Sequence, residues 1–320
     1  MPARDFQGFL PCKTIRGSHK MIQLVILSGK GGAGKTSLTA AFAHLAKKDP
    51  RIPSVVFADA DVDASNLELV LGPHKLESEE FRGGQFAVID REACLGCGEC
   101  ETVCRFDAIL REGESCRVDP IACDGCAACF YQCPNDAIQM RSQVVGEWHR
   151  SDSAFGPLYH ADLQPAQENS GKLVSTVKQH ARKLAEEEEY DLLLVDGPPG
   201  IGCPVISAVS GADLALIAAE PSLSGIHDMR RALETAHHFG IQTLVCINKA
   251  DIYPEGSAEI ASFCREREIE ILGTIPFDEM VIEAMTQGQP VTRYQPEAPA
   301  SRALQEIWDR VVNHLLKTHH

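Results

Sequence analysis

The chain has 320 residues, of which 44% are hydrophobic and 23% are charged, and its formal net charge is −15 at pH 7. This composition is typical of a soluble globular protein of about two domains, and no apolar run approaches the roughly 18 residues that cross a bilayer. The acidic balance argues against binding to nucleic acid, whose phosphate backbone requires a basic surface. Residues 1–20 lack the apolar stretch of a secretory signal. We expect them to form an N-terminal tail, or the true start to lie at Met21.

A glycine-rich sequence follows the first predicted strand, Ile22 to Leu27, and precedes a predicted helix, Ser37 to Lys48. It satisfies the pattern G-x-x-x-x-G-K-[ST], which in this context predicts a phosphate-binding loop. Backbone N-H groups of such a loop bind phosphates, its lysine reaches the outer phosphates, and its hydroxyl ligates magnesium. The predicted nucleotide-binding residues are Gly29, Lys30, Gly31, Gly32, Ala33, Gly34, Lys35, Thr36 and Ser37, with Thr36 also a magnesium ligand.

A second predicted strand, Ser54 to Ala58, ends at three aspartates, and the composition then changes. From residue 86 to residue 141, cysteine, glycine and short polar turns replace the apolar periodicity of helices. This change predicts that a small domain, 86–141, interrupts a larger one whose parts are 21–85 and 142–320.

Eight of the 13 cysteines form two copies of C-x2-C-x2-C-x3-C, and the second copy follows the first at a constant offset of 29 residues. This spacing is typical of chains that bind two cubane iron-sulfur clusters, in which the fourth cysteine of each run serves the other cluster. Zinc is the alternative metal, and Pro134 after the last cysteine favours iron-sulfur. The expected ligand sets are Cys94, Cys97, Cys100 and Cys133 for one [4Fe-4S] cluster, and Cys123, Cys126, Cys129 and Cys104 for the other.

These residues resemble a bacterial ferredoxin, which implies a small α+β domain. Cysteine ligands must stay reduced to hold iron, so we expect a cytoplasmic protein without a disulfide framework. Cys116 lies between the two runs and is expected to be a buried thiol without a ligand role.

Beyond the cysteine runs, residues 146–169 show no clear period and are expected to form a return loop. A helix from Lys172 to Glu189 and a buried strand from Tyr190 to Val195, which ends at Asp196, follow. Further strands then alternate with helices, a rhythm that predicts an α/β fold with a doubly wound, mostly parallel sheet. The last helix carries one apolar stripe, which predicts packing against that sheet.

The motifs together resemble a known family. Lys30, Asp59-Ala60-Asp61 and Asp196-Gly197-Pro198-Pro199-Gly200 are similar to the deviant phosphate loop and the two switches of the MinD, ParA and Mrp ATPases, which include the nitrogenase iron protein. The resemblance implies a homodimer that hydrolyses ATP with magnesium and in which Lys30 reaches the partner's nucleotide. It also implies that Asp61 orients the attacking water, while Asp59 and Asp196 support magnesium, so Lys30, Lys35 and Asp61 are the expected catalytic residues.

Asn248-Lys249-Ala250-Asp251 follows a strand at the position that contacts the base, and Pro276 follows the next strand. We expect Asn248, Asp251 and Pro276 to bind the nucleotide. N-K-x-D also occurs in guanine-specific proteins, so GTP stays open, although the family resemblance favours ATP.

Cys203 lies seven residues beyond Asp196. In the nitrogenase iron protein, a cysteine at this offset ligates a cluster shared across the dimer. Cys203 is therefore either a bridging or transfer thiol or a small packing residue.

Three functions agree with these features. The first is an ATPase that gates electron transfer through two [4Fe-4S] clusters toward an unidentified redox partner. The second is a carrier or assembly factor that delivers iron-sulfur or mixed-metal clusters to an acceptor protein, as the Mrp resemblance implies. The third is a positioning switch like MinD, in which eight cluster ligands would have no purpose.

Overall fold

The computed structural model describes residues 21–164 and 170–317, so the predicted N-terminal tail, including Cys12, lies outside the described residues. Its strands are β1 Ile22–Ser28, β2 Val55–Asp59, β3 His74–Ile89, β4 Ile109–Glu112, β5 Ser115–Val118, β6 Ile138–Ser153, β7 Gly156–Leu163, β8 Leu192–Pro199, β9 Leu214–Ala219, β10 Gln242–Asn248 and β11 Glu270–Ile275. Nine of them form one sheet in the order β11-β10-β9-β1-β8-β2-β7-β6-β3. Neighbouring strands from β11 to β7 are parallel, whereas β6 and β3 are antiparallel additions. The predicted α/β fold with a mostly parallel sheet is confirmed.

Helices cover both faces of this sheet. The helices are α1 Lys35–Lys48, α2 Leu67–Leu71, α3 Glu99–Val103, α4 Ala128–Gln132, α5 Ser170–Glu187, α6 Cys203–Val209, α7 Leu223–His238, α8 Pro254–Glu266, α9 Glu279–Thr286, α10 Val291–Tyr294 and α11 Pro299–Lys317. Of these, α3 and α4 belong to the cysteine-rich segment and do not cover the sheet. Because side chains alternate along a strand, Leu24 and Ile26 of β1 join the core beneath α1 and α11, while Val25 and Leu27 join the core beneath α5 to α8. The apolar stripe of α11 is buried in the first of these cores, as its spacing predicts. None of the described helices is long and apolar enough to cross a membrane.

The cysteine-rich segment is attached to the sheet through a long antiparallel ribbon made of β3 and β6. The ribbon begins where His74 pairs with Asp152 and ends where Ile89 pairs with Ile138. Beyond that end lie α3, α4 and the separate hairpin of β4 and β5. The predicted boundaries at residues 86 and 141 therefore fall within β3 and β6, near the outer end of the ribbon.

The expected return loop at 146–169 is wrong. Residues 146–153 continue β6, and β7 then pairs with β6 in an antiparallel hairpin and with β2 in parallel. Buried polar residues hide the period of two in this hairpin: Ser78 Oγ lies 2.8 Å from His149 Nδ1, and Ser151 Oγ lies 2.9 Å from His160 Nε2. Residues 165–169 lie outside the described residues.

Candidate functional site

The phosphate loop joins the central strand β1 to α1 at the carboxyl edge of the sheet. Gly32 and Gly34 adopt φ angles of 77° and 92°, which favour glycine, and Lys35 begins the helix. Two side chains from the end of β10 hold the loop: Asn248 Nδ2 donates to Ala33 O at 2.8 Å, and Lys249 Nζ donates to Gly32 O at 3.0 Å. The loop is thus fixed by neighbouring elements as well as by its own glycines.

Two buried aspartates flank the loop because β2 and β8 lie next to each other and pair Asp59 with Asp196. Asp196 accepts hydrogen bonds from Thr36 Oγ1 at 2.8 Å and from Thr39 Oγ1 at 2.9 Å. Both carboxylates are fully buried, and this burial raises the pKa of each. The neighbouring Asp196 raises the pKa of Asp59 further, whereas Lys35 lowers the pKa of Asp196. A divalent cation would relieve the repulsion between these charges.

Asp59 also organises the segment that follows β2. Its carboxylate accepts from Asp61 N at 3.0 Å, Ser65 Oγ at 2.8 Å and Leu67 N at 3.1 Å. These three bonds place Asp61 beside the phosphate loop, where burial raises the pKa of its carboxyl and Lys35 opposes that shift. Asp59 therefore acts on the shape of the loop 60–66 in addition to its predicted place near magnesium.

A cavity of about 580 Å³ opens in front of the loop. It brings together most of the residues predicted to bind nucleotide, namely Gly31, Gly32, Gly34, Lys35, Thr36, Ser37, Asn248 and Pro276, and with them the predicted catalytic residue Asp61. Gly29, Lys30, Ala33, Asp59, Asp196 and Asp251 lie outside its lining. Phe277, Ile282 and Met285 form an apolar side of the cavity that the sequence analysis did not identify. Phe277 had a signal in the sequence, because it closely follows a strand at the edge where ligands bind in parallel sheets. Ile282 and Met285 lie on α9, and their place in the cavity depends on tertiary packing.

Lys30 turns away from this cavity. Its Nζ lies 3.0 Å from Glu220 Oε1 and 3.0 Å from Ser222 Oγ, at the beginning of α7. Glu220 also lies 3.4 Å from Lys249 Nζ, so one carboxylate holds two lysines. In the single chain, Lys30 is therefore directed away from its own nucleotide cavity.

Asp251 has a structural partner. Its Oδ1 accepts a hydrogen bond from Phe277 N at 2.6 Å, which ties the loop after β10 to the loop after β11. This bond gives Asp251 a structural role, and the residue lies outside the lining of the nucleotide cavity.

The eight cysteines of the two runs line two separate cavities. The first is lined by Cys94, Cys97, Cys100 and Cys133, and the second by Cys123, Cys126, Cys129 and Cys104. These are the crossed sets expected from the spacing. No group of three or more His, Cys, Asp or Glu side chains within 21–164 and 170–317 is arranged to hold a single metal ion. A cubane makes a different demand, because its ligating sulfurs bind four separate irons.

The backbone repeats between the two halves of this segment. Ala108 N donates to Cys104 Sγ and Ala137 N donates to Cys133 Sγ, each at 3.4 Å. The preceding residues Asp107 and Asp136 have φ angles of 50° and 51°. Thiol-rich walls with backbone donors aimed at sulfur are the surroundings that stabilise thiolate ligands.

Cys116 also lines the first cavity, although the sequence analysis gave it no ligand role. It is buried, and burial together with the neighbouring Cys116 raises the pKa of the Cys100 thiol. The internal repeat could have indicated this position, because the offset of 29 residues relates Cys116 to Ala87, which lines the second cavity.

Cys203 is the first residue of α6 and is exposed. It lies outside both cysteine cavities and outside the lining of the nucleotide cavity. Its backbone packs against Gly171 of α5, where an added Cβ would meet Cys203 Cβ at 3.1 Å.

A strand, a glycine-rich loop and a helix, with a lysine, a threonine and a buried aspartate at the carboxyl edge of a parallel sheet, define a P-loop nucleotide-binding protein. The model of the CobQ/CobB/MinD/ParA nucleotide binding domain matches residues 24–291, and the chain belongs to this family.

Similar proteins agree with this assignment. An uncharacterized protein of Methanocaldococcus jannaschii is 32% identical over 295 residues, which cover 91% of this chain and 96% of that protein. An iron-sulfur cluster carrier protein of Pyrococcus furiosus is 28% identical over 141 residues, or 40% of this chain and 47% of the relative. The septum site-determining protein MinD of Pyrococcus horikoshii, solved with Mg-ADP, superimposes with a TM-score of 0.54 at 19% identity, covering 91% and 96% of the two chains. This last likeness concerns the fold alone.

Proposed function

We propose that the protein is an ATP-hydrolysing homodimer that couples nucleotide turnover to electron transfer through two [4Fe-4S] clusters. One observation carries the proposal: eight cysteines line two cavities in crossed sets, at the outer end of a ribbon that belongs to the same sheet as the phosphate loop. The resulting unit would be a ferredoxin-like domain inserted between the two switch segments of an ATPase.

The nucleotide site supplies binding and orientation. Backbone N-H groups of the loop and the positive end of α1 bind the phosphates, and Lys35 neutralises their charge. Thr36 and Asp196 lie in hydrogen-bonding contact, 2.8 Å apart, and would share the magnesium of the substrate. Asp61, held by Asp59, would orient the water that attacks the outer phosphorus, while the bond to the leaving oxygen of ADP breaks.

Lys30 would complete the site of the partner subunit. It does not line the cavity of its own chain, and its ion pair with Glu220 is only partly buried, with side-chain exposures of 29% and 20%. Exchange of Glu220 for the phosphates of the partner's nucleotide would stabilise charge in the transition state, as an arginine finger does.

The cysteines fit the proposed clusters. The first site would be held by Cys94, Cys97, Cys100 and Cys133, and the second by Cys123, Cys126, Cys129 and Cys104. Such clusters, when bound, supply reversible one-electron chemistry. The N-H groups of Ala108 and Ala137 would hold the sulfurs of Cys104 and Cys133 in place.

A short path connects the nucleotide site to this segment. Leu163 N, at the end of β7, donates to Val62 O at 3.3 Å, within the loop that Asp59 organises. Glu68 of α2 places Oε2 3.1 Å from His160 Nδ1 on the same strand. Because β7 pairs with β6, and β6 continues to Met140 in the second cavity, a shift of the loop would reach the cysteine segment.

The second candidate function is delivery of whole clusters. It is favoured by the similarity to the P. furiosus iron-sulfur cluster carrier protein. Cys97 and Cys126 are exposed, which would give an acceptor access to the sites, and Cys203 is an exposed thiol that could receive iron in transit. Under this hypothesis Cys203→Ser slows transfer to an acceptor, whereas under the electron-transfer hypothesis it has no effect.

Anaerobic purification followed by electron paramagnetic resonance of the reduced protein tests the proposal. We expect about eight irons per chain and a spectrum that changes when ATP and magnesium are added. Retention of iron during oxidation supports electron transfer, and loss of iron to an apo-acceptor supports the carrier. If ATP changes neither the spectrum nor the iron content, both forms of coupling are contradicted. A positioning switch of the MinD type would then be the remaining hypothesis.

The connecting path has its own test. Glu68→Ala should reduce the effect of ATP on the spectrum, because α2 then loses its contact with β7, while iron content stays constant. Coupling between sites of this kind commonly amounts to about 5- to 150-fold in affinity. Glu234→Ala, an exposed change on α7, is the control. A Glu68→Ala protein with the full ATP response would exclude this route.

A further inference from the structure

The two cysteine cavities are copies of one design and differ in one buried side chain. The offset of 29 residues that relates the cysteine runs also relates most other lining residues. Ala137 and Ile138 of the first cavity correspond to Ala108 and Ile109 of the second. At the position where the second cavity has Ala87, the first has Cys116.

Cys116 is well placed to act on the first site. It is 1% exposed, lies on β5 and lines the same cavity as Cys100. A Cys100 sulfur that binds iron carries no proton, so of these two side chains only Cys116 could then donate a hydrogen bond. A thiol is a weak donor, but in a site that excludes water even a weak donor is effective.

We propose that Cys116 is a positioning residue that donates a hydrogen bond to the Cys100 sulfur and thereby raises the reduction potential of the first cluster above that of the second. The inference rests on the proposed function, since it requires both clusters. A donor to a ligating sulfur stabilises the reduced form, which carries one more negative charge. The first electron added to the chain is therefore held at the Cys94, Cys97, Cys100 and Cys133 site.

A further difference acts in the same direction. The exposed Leu95 of the first cavity corresponds to Asp124 of the second, and a carboxylate disfavours the added electron there. This carboxylate is at the surface, where water and salt screen its charge. The contribution of Cys116 is separable from it because the two residues can be changed independently.

An anaerobic titration of the holoprotein with dithionite, followed by electron paramagnetic resonance and iron analysis, tests the inference. In Cys116→Ala, the ratio of oxidised to reduced first cluster at a fixed potential should rise by about three- to tenfold, where tenfold corresponds to 59 mV for one electron. The potential of the upper reduction step should fall toward that of the lower step, while the iron content stays unchanged. Cys116→Ser, whose hydroxyl still donates, should keep the steps apart.

Two matched variants complete the test. Ala87→Cys places a thiol at the corresponding position of the second cavity and should raise the lower step toward the upper one. Cys246→Ala removes an equally buried thiol from β10 and should change neither step. The double variant Cys116→Ala with Ala87→Cys should separate the steps again, with the order of the two sites exchanged.

Three results would overturn the inference. Unchanged steps in iron-replete Cys116→Ala would show that the thiol does not affect the potential. A fall to about four irons per chain in the same variant would make Cys116 a structural or ligating residue. A wild-type chain that binds no iron would contradict the proposed clusters themselves, which iron analysis reveals before any titration.

Discussion

The nucleotide site and the cysteine segment reach their geometry by different means. The phosphate loop lies between two large cores and is held by Asn248, Lys249 and buried aspartates. The small core of the cysteine segment consists of seven residues, and three of them are Cys100, Cys116 and Cys129. The nucleotide site is therefore formed without a bound nucleotide. The cysteine segment, in contrast, uses candidate metal-binding cysteines as part of its own core.

The largest expected effect is on the rate of nucleotide hydrolysis, in the variant Lys30→Ala. Loss of the trans lysine should lower hydrolysis by about a thousandfold or more, by analogy with arginine fingers. Nucleotide affinity and cluster absorbance should stay the same, since Lys30 lies outside the cavity. Steady-state phosphate release measures the effect, and Lys47→Ala at the exposed end of α1 is the control. Retained turnover would remove the trans-lysine mechanism.

Iron removal should affect the two regions unequally. Chelation should speed hydrogen exchange at the amides of Ala108 and Ala137 by about a hundredfold, because local opening then lacks the metal's stabilisation. Amides of β1 and β8, within the two large cores, should keep their protection. Exchange followed by mass spectrometry provides the measurement. Equal acceleration in both regions would show that the segment and the sheet open as one unit.

Acid should lower stability through His44, which lies on α1, the helix that follows the phosphate loop. Burial, with Lys48 and Arg293 nearby, lowers the pKa of His44 to about 4, and its Nδ1 lies 2.9 Å from Thr292 Oγ1. The unfolded chain takes up this proton near pH 6.5 and the folded chain does not. The contribution of His44 to stability is therefore complete above pH 6.5 and is lost between pH 6.5 and 4.

The slope of this loss is at most about 1.4 kcal/mol per pH unit for one histidine. Urea unfolding at several pH values should show a shallower dependence for His44→Gln. The exposed His227→Gln should behave like the wild type. Parallel curves for all three proteins would rule out His44 as the source of acid sensitivity.

The smallest effect distinguishes the two halves of the cysteine segment. Gly98 and its counterpart Ala127 have φ angles of 80° and 61°. Alanine is disfavoured there by about 1 kcal/mol, so Ala127→Gly should raise the temperature at which cluster absorbance is lost. Gly98→Ala should lower it, both through this strain and because the new Cβ would approach Arg111 Nη2. A lower midpoint in Ala127→Gly would contradict the strain argument.

Sequence patterns predicted the parts whose chemistry depends on spacing. The phosphate loop, Asp196 and the crossed cysteine sets follow from short local motifs, and the structure brings these cysteines together as expected. The strands β6 and β7 were missed because His149, Ser151 and His160 are polar and yet buried. Ser151 is hydrogen-bonded to His160 and His149 to Ser78 on β3, and these bonds compensate for the cost of burial.

Other features depend on tertiary contacts that spacing does not encode. The ion pair of Lys30 with Glu220 joins residues 190 positions apart. The same is true of Asp251, whose partner is the amide of Phe277 on another loop. Cys116 was overlooked for a different reason, since its meaning appears only when the repeat is extended beyond the cysteine runs to Ala87.

Because the cysteine segment is joined to the sheet through the ribbon of β3 and β6, it can be inserted or removed at a single hairpin. Its two strands leave and re-enter the sheet side by side, with Ile89 opposite Ile138. A tight Asn-Gly turn in place of residues 90–137 would close the same hairpin without disturbing the strands beneath it. Lineages that gain or lose such a segment therefore need only lengthen or trim one hairpin at the margin of the sheet, and a designer could exchange it for another small domain in the same way.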